Sequence, residues 1–227
     1  MGWMNCTTRR KIEMLRFWNR LVQMDNNRLT KKIFLWDKGI NSKNWSSDLF
    51  KILTDIGLEE HFHLLASVDL EQCASTLFLA DKEIWSQQVV KVPKLRTYIK
   101  FKNTYETEPY VFKVFDRGHR SILAQFRTGI LPLAVETGRY TNIPLEYRLC
   151  TFCKDNVIED ECHFLFKCQQ YNELRTTFLS EIREKDANFN QKNDCEKLQM
   201  LMSADFVKST AKFLYNCYYN RRRVLYN

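Results

Sequence analysis

The amino-acid sequence predicts a mainly α protein, in which a helical N-terminal region is followed by a helical region built around a small cluster of cysteines. Apolar residues recur at steps of three and four along most of the 227 residues, and this is the period of an amphipathic helix. Only six glycines and four prolines interrupt the pattern. The hydrophobic fraction of 44% is enough to form a buried core.

Four helices are predicted before the first proline, Pro93, which should end the last of them. The second helix should end at Gly39 and the third at Gly57, because glycine is common just past a helix end. Ser46 or Ser47 is expected to cap the third helix. The other three helices are predicted at about residues 9–24, 28–38 and 69–90.

Residues 103–112 are rich in β-branched and aromatic side chains and contain Pro109, which favours an extended connector. We therefore expect two domains: a helical region at residues 1–103 and a second helical domain, with the cysteine cluster, at residues 104–227. The second domain should contain helices at about residues 116–128, 169–185 and 194–224, with a turn-rich stretch at 138–144.

The predicted helix at residues 116–128 should end at Gly129 and Pro132. At 100° per residue, one arc of this segment is apolar and a separate arc is basic. We expect the apolar arc to pack and the basic arc to present a row of guanidinium groups. The apolar arc consists of His119, Ile122, Leu123, Phe126 and Ile130, and the basic arc of Arg117, Arg120 and Arg127.

The charge balance favours a polyanionic partner such as nucleic acid, because 35 Lys and Arg against 27 Asp and Glu give a formal net charge of +8. No apolar run approaches the length of a membrane span, and the N-terminus lacks the apolar segment of a secretory signal. We expect an intracellular protein, in the cytoplasm or nucleus, with no membrane partner. In such a reducing compartment, clustered cysteines favour metal binding over disulfides.

Four of the eight cysteines lie between residues 150 and 168. Cys150 and Cys153 form a Cys-x2-Cys pair, and His163 and Cys168 follow as a His-x4-Cys pair. Together they supply the four sulfur and nitrogen ligands that a structural zinc site requires, so a CCHC zinc module with one structural Zn²⁺ is predicted. The spacing of the second pair indicates a short helix carrying His163, with Cys168 at or past its end. Cys162 is a competing ligand, and ordinary buried thiols are the other alternative.

From Arg117 to Phe178 the chain resembles the zinc-binding segment at the C-terminal end of non-LTR (LINE-type) retrotransposon reverse transcriptases. The residues before 117 are more weakly similar to the helical stretch that follows the polymerase in those proteins. The order and spacing of the following residues carry the resemblance: Phe126-Arg127-Thr128-Gly129, Leu131-Pro132-Leu133, Glu136-Thr137-Gly138-Arg139-Tyr140, Ile143-Pro144, Arg148-Leu149-Cys150-x2-Cys153, Glu159-Asp160-Glu161-Cys162-His163-Phe164-Leu165-Phe166-x-Cys168 and Tyr171-Asn172-Glu173-Leu174-Arg175.

The resemblance implies that the four predicted ligands bind zinc, and that Arg127 and Arg139 belong to a basic signature. It also implies a role in holding RNA or DNA near a reverse transcriptase polymerase region of the parent polyprotein. The polymerase of that family carries a Tyr/Phe-x-Asp-Asp element, and this sequence contains no Asp-Asp pair. We therefore expect a C-terminal fragment or a derivative of one, which is not itself an enzyme.

The functional prediction is a zinc-stabilised module that binds RNA or single-stranded DNA through Arg117, Arg120, Arg127 and Arg139. The alternative is a protein-interaction scaffold in which zinc only holds helices together. Two other charged runs are interpreted as surface features: Glu159–Glu161 as solvated charge or helix N-terminal acids, and Arg221–Arg223 as either a phosphate contact or a solvated helix end.

Overall fold

The computed structural model describes residues 4–40, 42–153 and 155–226. This part of the chain is mainly helical and contains no strand, only an isolated antiparallel bridge between Leu149 and Ile158. The predicted fold class is therefore confirmed. The described residues form two compact units, an N-terminal unit up to Gln87 and a C-terminal unit from Gln88. None of the described helices is both long and apolar enough to span a membrane.

The N-terminal unit has an apolar core in which Leu15, Trp18, Leu49 and Leu53 are fully buried. The ring of Trp18 stacks on that of Phe62 with centroids 5.8 Å apart. The helices of this unit follow the predicted periodicity, with one additional short helix. They are α1 (Cys6–Gln23), α2 (Leu29–Lys38), α3 (Trp45–Asp55), α4 (Glu59–Leu64) and α5 (Leu70–Val89). The last two residues of α5 belong to the C-terminal unit.

The start of α3 differs from the prediction, because Asn44 is the N-cap and not Ser46 or Ser47. The Asn44 side chain accepts a hydrogen bond from the Ser47 amide, at 2.9 Å, and the Ser47 hydroxyl accepts one from the Asn44 amide, at 3.0 Å. This reciprocal capping box satisfies two amides at the helix start, which explains why the helix begins two or three residues earlier than predicted.

In the C-terminal unit the long last helix, α11 (Val207–Tyr226), packs along two earlier helices, α7 (Arg117–Arg127) and α9 (Asn172–Lys185). The fully buried apolar residues of this unit include Leu123, Phe126, Phe164, Ile182 and Leu214. The α-helices are α6 (Tyr110–Lys113), α7 (Arg117–Arg127), α8 (Ala134–Tyr140), α9 (Asn172–Lys185), α10 (Asp194–Leu201) and α11 (Val207–Tyr226), with several short 3-10 turns between them.

Three predictions for this unit need correction. Residues 103–112 do not form an extended connector: they contain turns and the start of α6. The stretch predicted as turns at 138–144 is partly helical, because α8 continues to Tyr140. The single helix predicted at 194–224 is two helices, since residues 202–206 leave the helical path between α10 and α11.

The division between the units falls between Gln87 and Gln88, ahead of the predicted boundary at residues 103 and 104. The intervening segment belongs to the C-terminal unit through buried polar contacts. The Arg96 guanidinium bonds to the Glu161 carboxylate at 2.6 Å, and the Thr97 hydroxyl donates to the same carboxylate at 2.9 Å. Local composition does not reveal contacts between residues 65 positions apart, so it predicts the boundary too far along the chain.

Candidate metal centre

Four side chains of the C-terminal unit converge on one point: Cys150, Cys153, His163 and Cys168. Their ligand atoms all lie within 4.8 Å of one another. The Sγ atoms of Cys150 and Cys168 are 3.8 Å apart, and the Cys153 Sγ is 3.4 Å from Nε2 of His163. One metal ion at the centre of this group could therefore contact all four atoms, as the sequence spacing predicted.

The first two cysteines lie on a tight turn that is closed by backbone hydrogen bonds. The Cys150 amide donates to the Val157 carbonyl at 2.9 Å, and the Glu159 amide donates to the Arg148 carbonyl at 3.0 Å. This short antiparallel pairing brings the chain back on itself after Cys153. The turn therefore holds two thiols on the same side, which is what a Cys-x2-Cys pair requires.

The second pair of ligands lies at a single turn of π-helix, His163–Lys167: His163 is its first residue, and Cys168 follows its last. Asp160 begins this turn, because its carboxylate accepts a hydrogen bond from the His163 amide at 2.7 Å. The turn ends at Cys168, whose amide donates to the His163 carbonyl at 2.8 Å. The expectation that His163 lies on a short helix and Cys168 at its end is confirmed. Cys162, the competing ligand, is not part of the group of four.

The group is largely shielded from solvent. Cys168 is fully buried, His163 and Cys150 are nearly so, and Cys153 is half-buried. Burial raises the pKa of the Cys150 thiol to about 12 and also raises the pKa of Cys168. It lowers the pKa of His163. Burial thus disfavours the charged forms of Cys150, His163 and Cys168 when no ion is bound. A bound cation would compensate the charge of the thiolates.

A buried carboxylate lies beside the first cysteine of the group. Glu159 is 1% exposed, and its Oε1 lies 3.6 Å from the Cys150 Sγ. Its other oxygen accepts a hydrogen bond from the Ala134 amide at 2.7 Å. The Arg221 guanidinium forms a two-pronged ion pair with the same carboxylate and lies over the Phe152 ring, 4.2 Å from its centroid. The last helix is thereby tied to the turn that carries the first two ligands.

A second arginine ties α9 to the turn that carries His163. The Arg175 side chain is 6% exposed and donates to the carbonyls of Leu165, at 3.0 Å, and Cys168, at 2.7 Å. It also bonds to the Asn172 side chain at 2.6 Å. The Cys168 carbonyl also accepts a longer hydrogen bond from the Tyr171 amide, at 3.3 Å. Arg175 thus adds side-chain donors to carbonyls at the end of the turn, where helical backbone donors run out.

Two predictions about charged runs are wrong in part: Asp160 is a helix N-terminal acid, as one alternative has it, and Arg223 is exposed at the end of α11. The Glu159 and Glu161 carboxylates are buried ion-pair partners, not solvated charges, and Arg221 is 6% exposed and paired with Glu159. Sequence reasoning missed these roles because Arg221 lies 62 residues from Glu159. The only available signal was the inclusion of Glu159 and Glu161 in the segment that resembles the retrotransposon proteins.

The four arginines predicted to contact nucleic acid lie in different environments. Arg117 is exposed, and Arg139 is partly exposed with an ion pair to Glu136 at 3.2 Å. Arg120 is half-buried and donates to the Val114 carbonyl at 3.1 Å.

Arg127 is 2% exposed. It forms an ion pair with Glu108 and lies over the rings of Phe101 and Tyr110, at 4.4 and 5.1 Å. The prediction of an exposed row of three guanidinium groups is therefore wrong at Arg127. Helical arcs showed which residues share a face, but they could not show that Glu108 covers part of that face.

Comparison with known proteins adds no constraint on function: the chain matches no family model, no curated protein and no solved structure.

Proposed function

We propose that the C-terminal unit is a nucleic-acid-binding module whose local fold is held by one structural Zn²⁺. The proposed zinc site rests on the group of three thiols and one imidazole, whose ligand atoms all lie within 4.8 Å of one another. Structural zinc sites use four such ligands and keep no open position, whereas catalytic sites leave one position for water or substrate. The group thus supports a structural ion and gives no support to a catalytic one.

Two distances within the group agree with those of a tetrahedral zinc site. With zinc–sulfur bonds of about 2.3 Å, two sulfur atoms of a tetrahedral site are about 3.8 Å apart. A sulfur and an imidazole nitrogen are about 3.6 Å apart. The corresponding distances are 3.8 Å between Cys150 and Cys168 and 3.4 Å between Cys153 and His163. In a bound state the protons of the thiols would be released as the ion takes their place.

The nucleic-acid part rests on the net charge of +8 and on the resemblance to the zinc-binding segment of LINE-type reverse transcriptases. Arg117 and Arg139 remain candidate phosphate contacts because both are accessible. Arg127 is buried and is therefore no longer a candidate. Arg120 can contact a phosphate only by giving up its hydrogen bond to the Val114 carbonyl. The module would act beside a polymerase region of a parent polyprotein and would not itself be an enzyme.

The test measures metal content and oligonucleotide binding on the same preparation of the full chain, purified without chelator. We expect about one zinc per chain and affinity for single-stranded RNA or DNA that falls with salt. Each neutralised phosphate contributes about 0.7 to the log–log salt slope on single strands. The double variant Arg117→Gln/Arg139→Gln should retain zinc and reduce the slope by roughly 1.4. Zinc-free preparations, or binding that does not respond to salt, would contradict the proposal.

The scaffold alternative is favoured by one feature of the N-terminal unit. Leu29, Ile33, Trp36 and Ile40 follow the spacing of one face of α2 and its C-terminal extension, and Trp36 is 70% exposed. An apolar stripe of this kind is typical of a protein contact. Under this alternative the full chain contains zinc but shows no salt-sensitive binding to oligonucleotides, so the same titration separates the two.

A further inference from the structure

We infer that the exposed face of α11 is a binding surface for single-stranded nucleic acid, with lysines that contact phosphates and tyrosine rings that stack on bases. This inference rests on the proposed function, and it assigns the main contact to a different helix from the one that the sequence indicated. Below, the α11 face means Lys208, Lys212, Tyr215, Tyr219 and Arg223.

The charge of α11 is one-sided. The segment 207–226 contains two lysines and three arginines and no aspartate or glutamate. Arg221 turns inward to Glu159, but Lys208, Lys212 and Arg223 are exposed, and within the described part of the chain they form no ion pair. Cations without a counter-charge on their own helix attract a polyanion, and their number sets the salt dependence of binding.

The cations and rings share one side of the helix. At 100° per residue, the five side chains of the α11 face fall within an arc of about 80°. Lys208 and Arg223 are separated along the helix axis by roughly 22 Å, at about 1.5 Å per residue. The face is therefore a stripe that an extended strand could follow, in contrast to the scattered arginines of α7.

Aromatic rings form a continuous ladder at the middle of this stripe. The rings of Tyr215 and Tyr219 have centroids 4.4 Å apart, and His119 of α7 lies 4.6 Å from Tyr215. Tyr219 is 45% exposed. Gly118 allows this close approach, because an added Cβ there would lie 2.7 Å from the Tyr215 ring. An accessible ring beside cations is the arrangement on which unpaired bases stack.

Neighbouring carboxylates limit the surface at two edges. Glu181 lines the groove between α9 and α11 together with Lys212, and Asp116 interacts with Tyr215 and His119. A polyanion without bases would contact only the cations of this face. The tyrosine rings offer an additional contact for bases, which favours nucleic acid over an anionic lipid surface. Stacking also requires bases that are not already paired, which favours a single strand over a duplex.

The test compares three charge-neutralised variants of the full chain, each lacking two cations, in titrations with one short fluorescent RNA at several salt concentrations. Lys208→Gln/Lys212→Gln should weaken binding several-fold at low salt and reduce the log–log slope by roughly 1.4. The matched control Lys91→Gln/Arg183→Gln removes two exposed cations outside the face and should leave the slope unchanged. The third variant is Arg117→Gln/Arg139→Gln.

Two further variants test stacking. Tyr219→Ala should reduce affinity by about ten-fold and leave the salt slope unchanged, because it removes a ring but no charge. Tyr219→Phe keeps the ring and should bind with the affinity of the unmodified chain. If Lys208→Gln/Lys212→Gln behaves like the control while Arg117→Gln/Arg139→Gln lowers the slope, the α11 inference fails and the proposed function stands. Absence of salt-sensitive binding by the unmodified chain overturns both. Equal affinity for the matching duplex, or for phosphatidylserine-containing vesicles, overturns the single-strand assignment.

Discussion

The two units of this protein are stabilised by different kinds of contact. In the N-terminal unit the buried side chains are mostly apolar, the buried Lys31 donates to backbone carbonyls, and the ion pairs lie at the surface. The side chains of Arg10 and Asp48, 3.8 Å apart, are 71% and 47% exposed. In the C-terminal unit the principal ion pairs are buried: the side chains of Glu108 and Arg127 are 5% and 3% exposed, and those of Glu159 and Arg221 are 1% and 7% exposed.

This difference implies different responses to the loss of one partner. An exposed ion pair contributes little, because water solvates each charge after the other is removed. A buried pair is costly to break, because the remaining charge has no solvent and no partner. The C-terminal unit adds the Cys150, Cys153, His163 and Cys168 group, in which each ligand depends on the ion that the others hold. Loss of a ligand or of a buried ion-pair partner should therefore destabilise the C-terminal unit more than loss of an exposed ion-pair partner destabilises the N-terminal unit.

The largest expected effect is loss of the metal. Cys168→Ser removes a fully buried ligand and should release the zinc, and structural zinc contributes on the order of 10 kcal/mol to local folding in small zinc domains. Hydrogen exchange measured by mass spectrometry on the full chain should show lost protection around residues 145–175. The helices α1 to α3 should keep theirs.

The matched control is Cys162→Ser, which changes the neighbouring half-buried thiol outside the group of four. It should retain about one zinc and normal protection. If Cys162→Ser releases the metal and Cys168→Ser retains it, the ligand assignment is wrong. If neither variant releases the metal, the ion is bound elsewhere and the group of four is a set of buried thiols and a histidine.

A second comparison breaks one ion pair in each unit. Arg221→Ala leaves the Glu159 carboxylate buried without its cation and should lower the unfolding free energy of the C-terminal unit by about 3–5 kcal/mol. Arg10→Ala should lower that of the N-terminal unit by less than about 1 kcal/mol. Hydrogen exchange in increasing urea reports each unit separately. Equal losses in the two units would remove the contrast between them.

The same contrast explains what the sequence could predict. The helices α1, α2 and α5 follow from apolar periodicity, because burial of an amphipathic face is encoded in neighbouring residues. The metal group follows from ligand type and short spacing. The buried ion pairs could not be predicted, since Glu108 lies 19 residues from Arg127 and nothing local marks the two as partners. An arginine on a helical arc has the same pattern whether it meets solvent or a carboxylate.

A third comparison concerns two glycines that follow helices in matched conformations. Gly57 after α3 has φ 73° and Gly129 after α7 has φ 66°, so both lie in the left-handed region. Alanine in that region costs about 1–2 kcal/mol by conformation alone. A Cβ at Gly57 would meet nothing within 4 Å, whereas one at Gly129 would lie 2.0 Å from the Lys94 carbonyl oxygen.

We therefore expect Gly57→Ala to lower the unfolding free energy of the N-terminal unit by about 1–2 kcal/mol. Gly129→Ala should lower that of the C-terminal unit by about 2–4 kcal/mol, because the 93–96 segment must also move away from the new methyl group. That segment carries Arg96, the partner of Glu161, so the displacement should also increase exchange at residues 160–168. If both variants lose the same free energy, and exchange near the metal group is unchanged, the close packing of the 93–96 segment on Gly129 does not contribute to the stability of this unit.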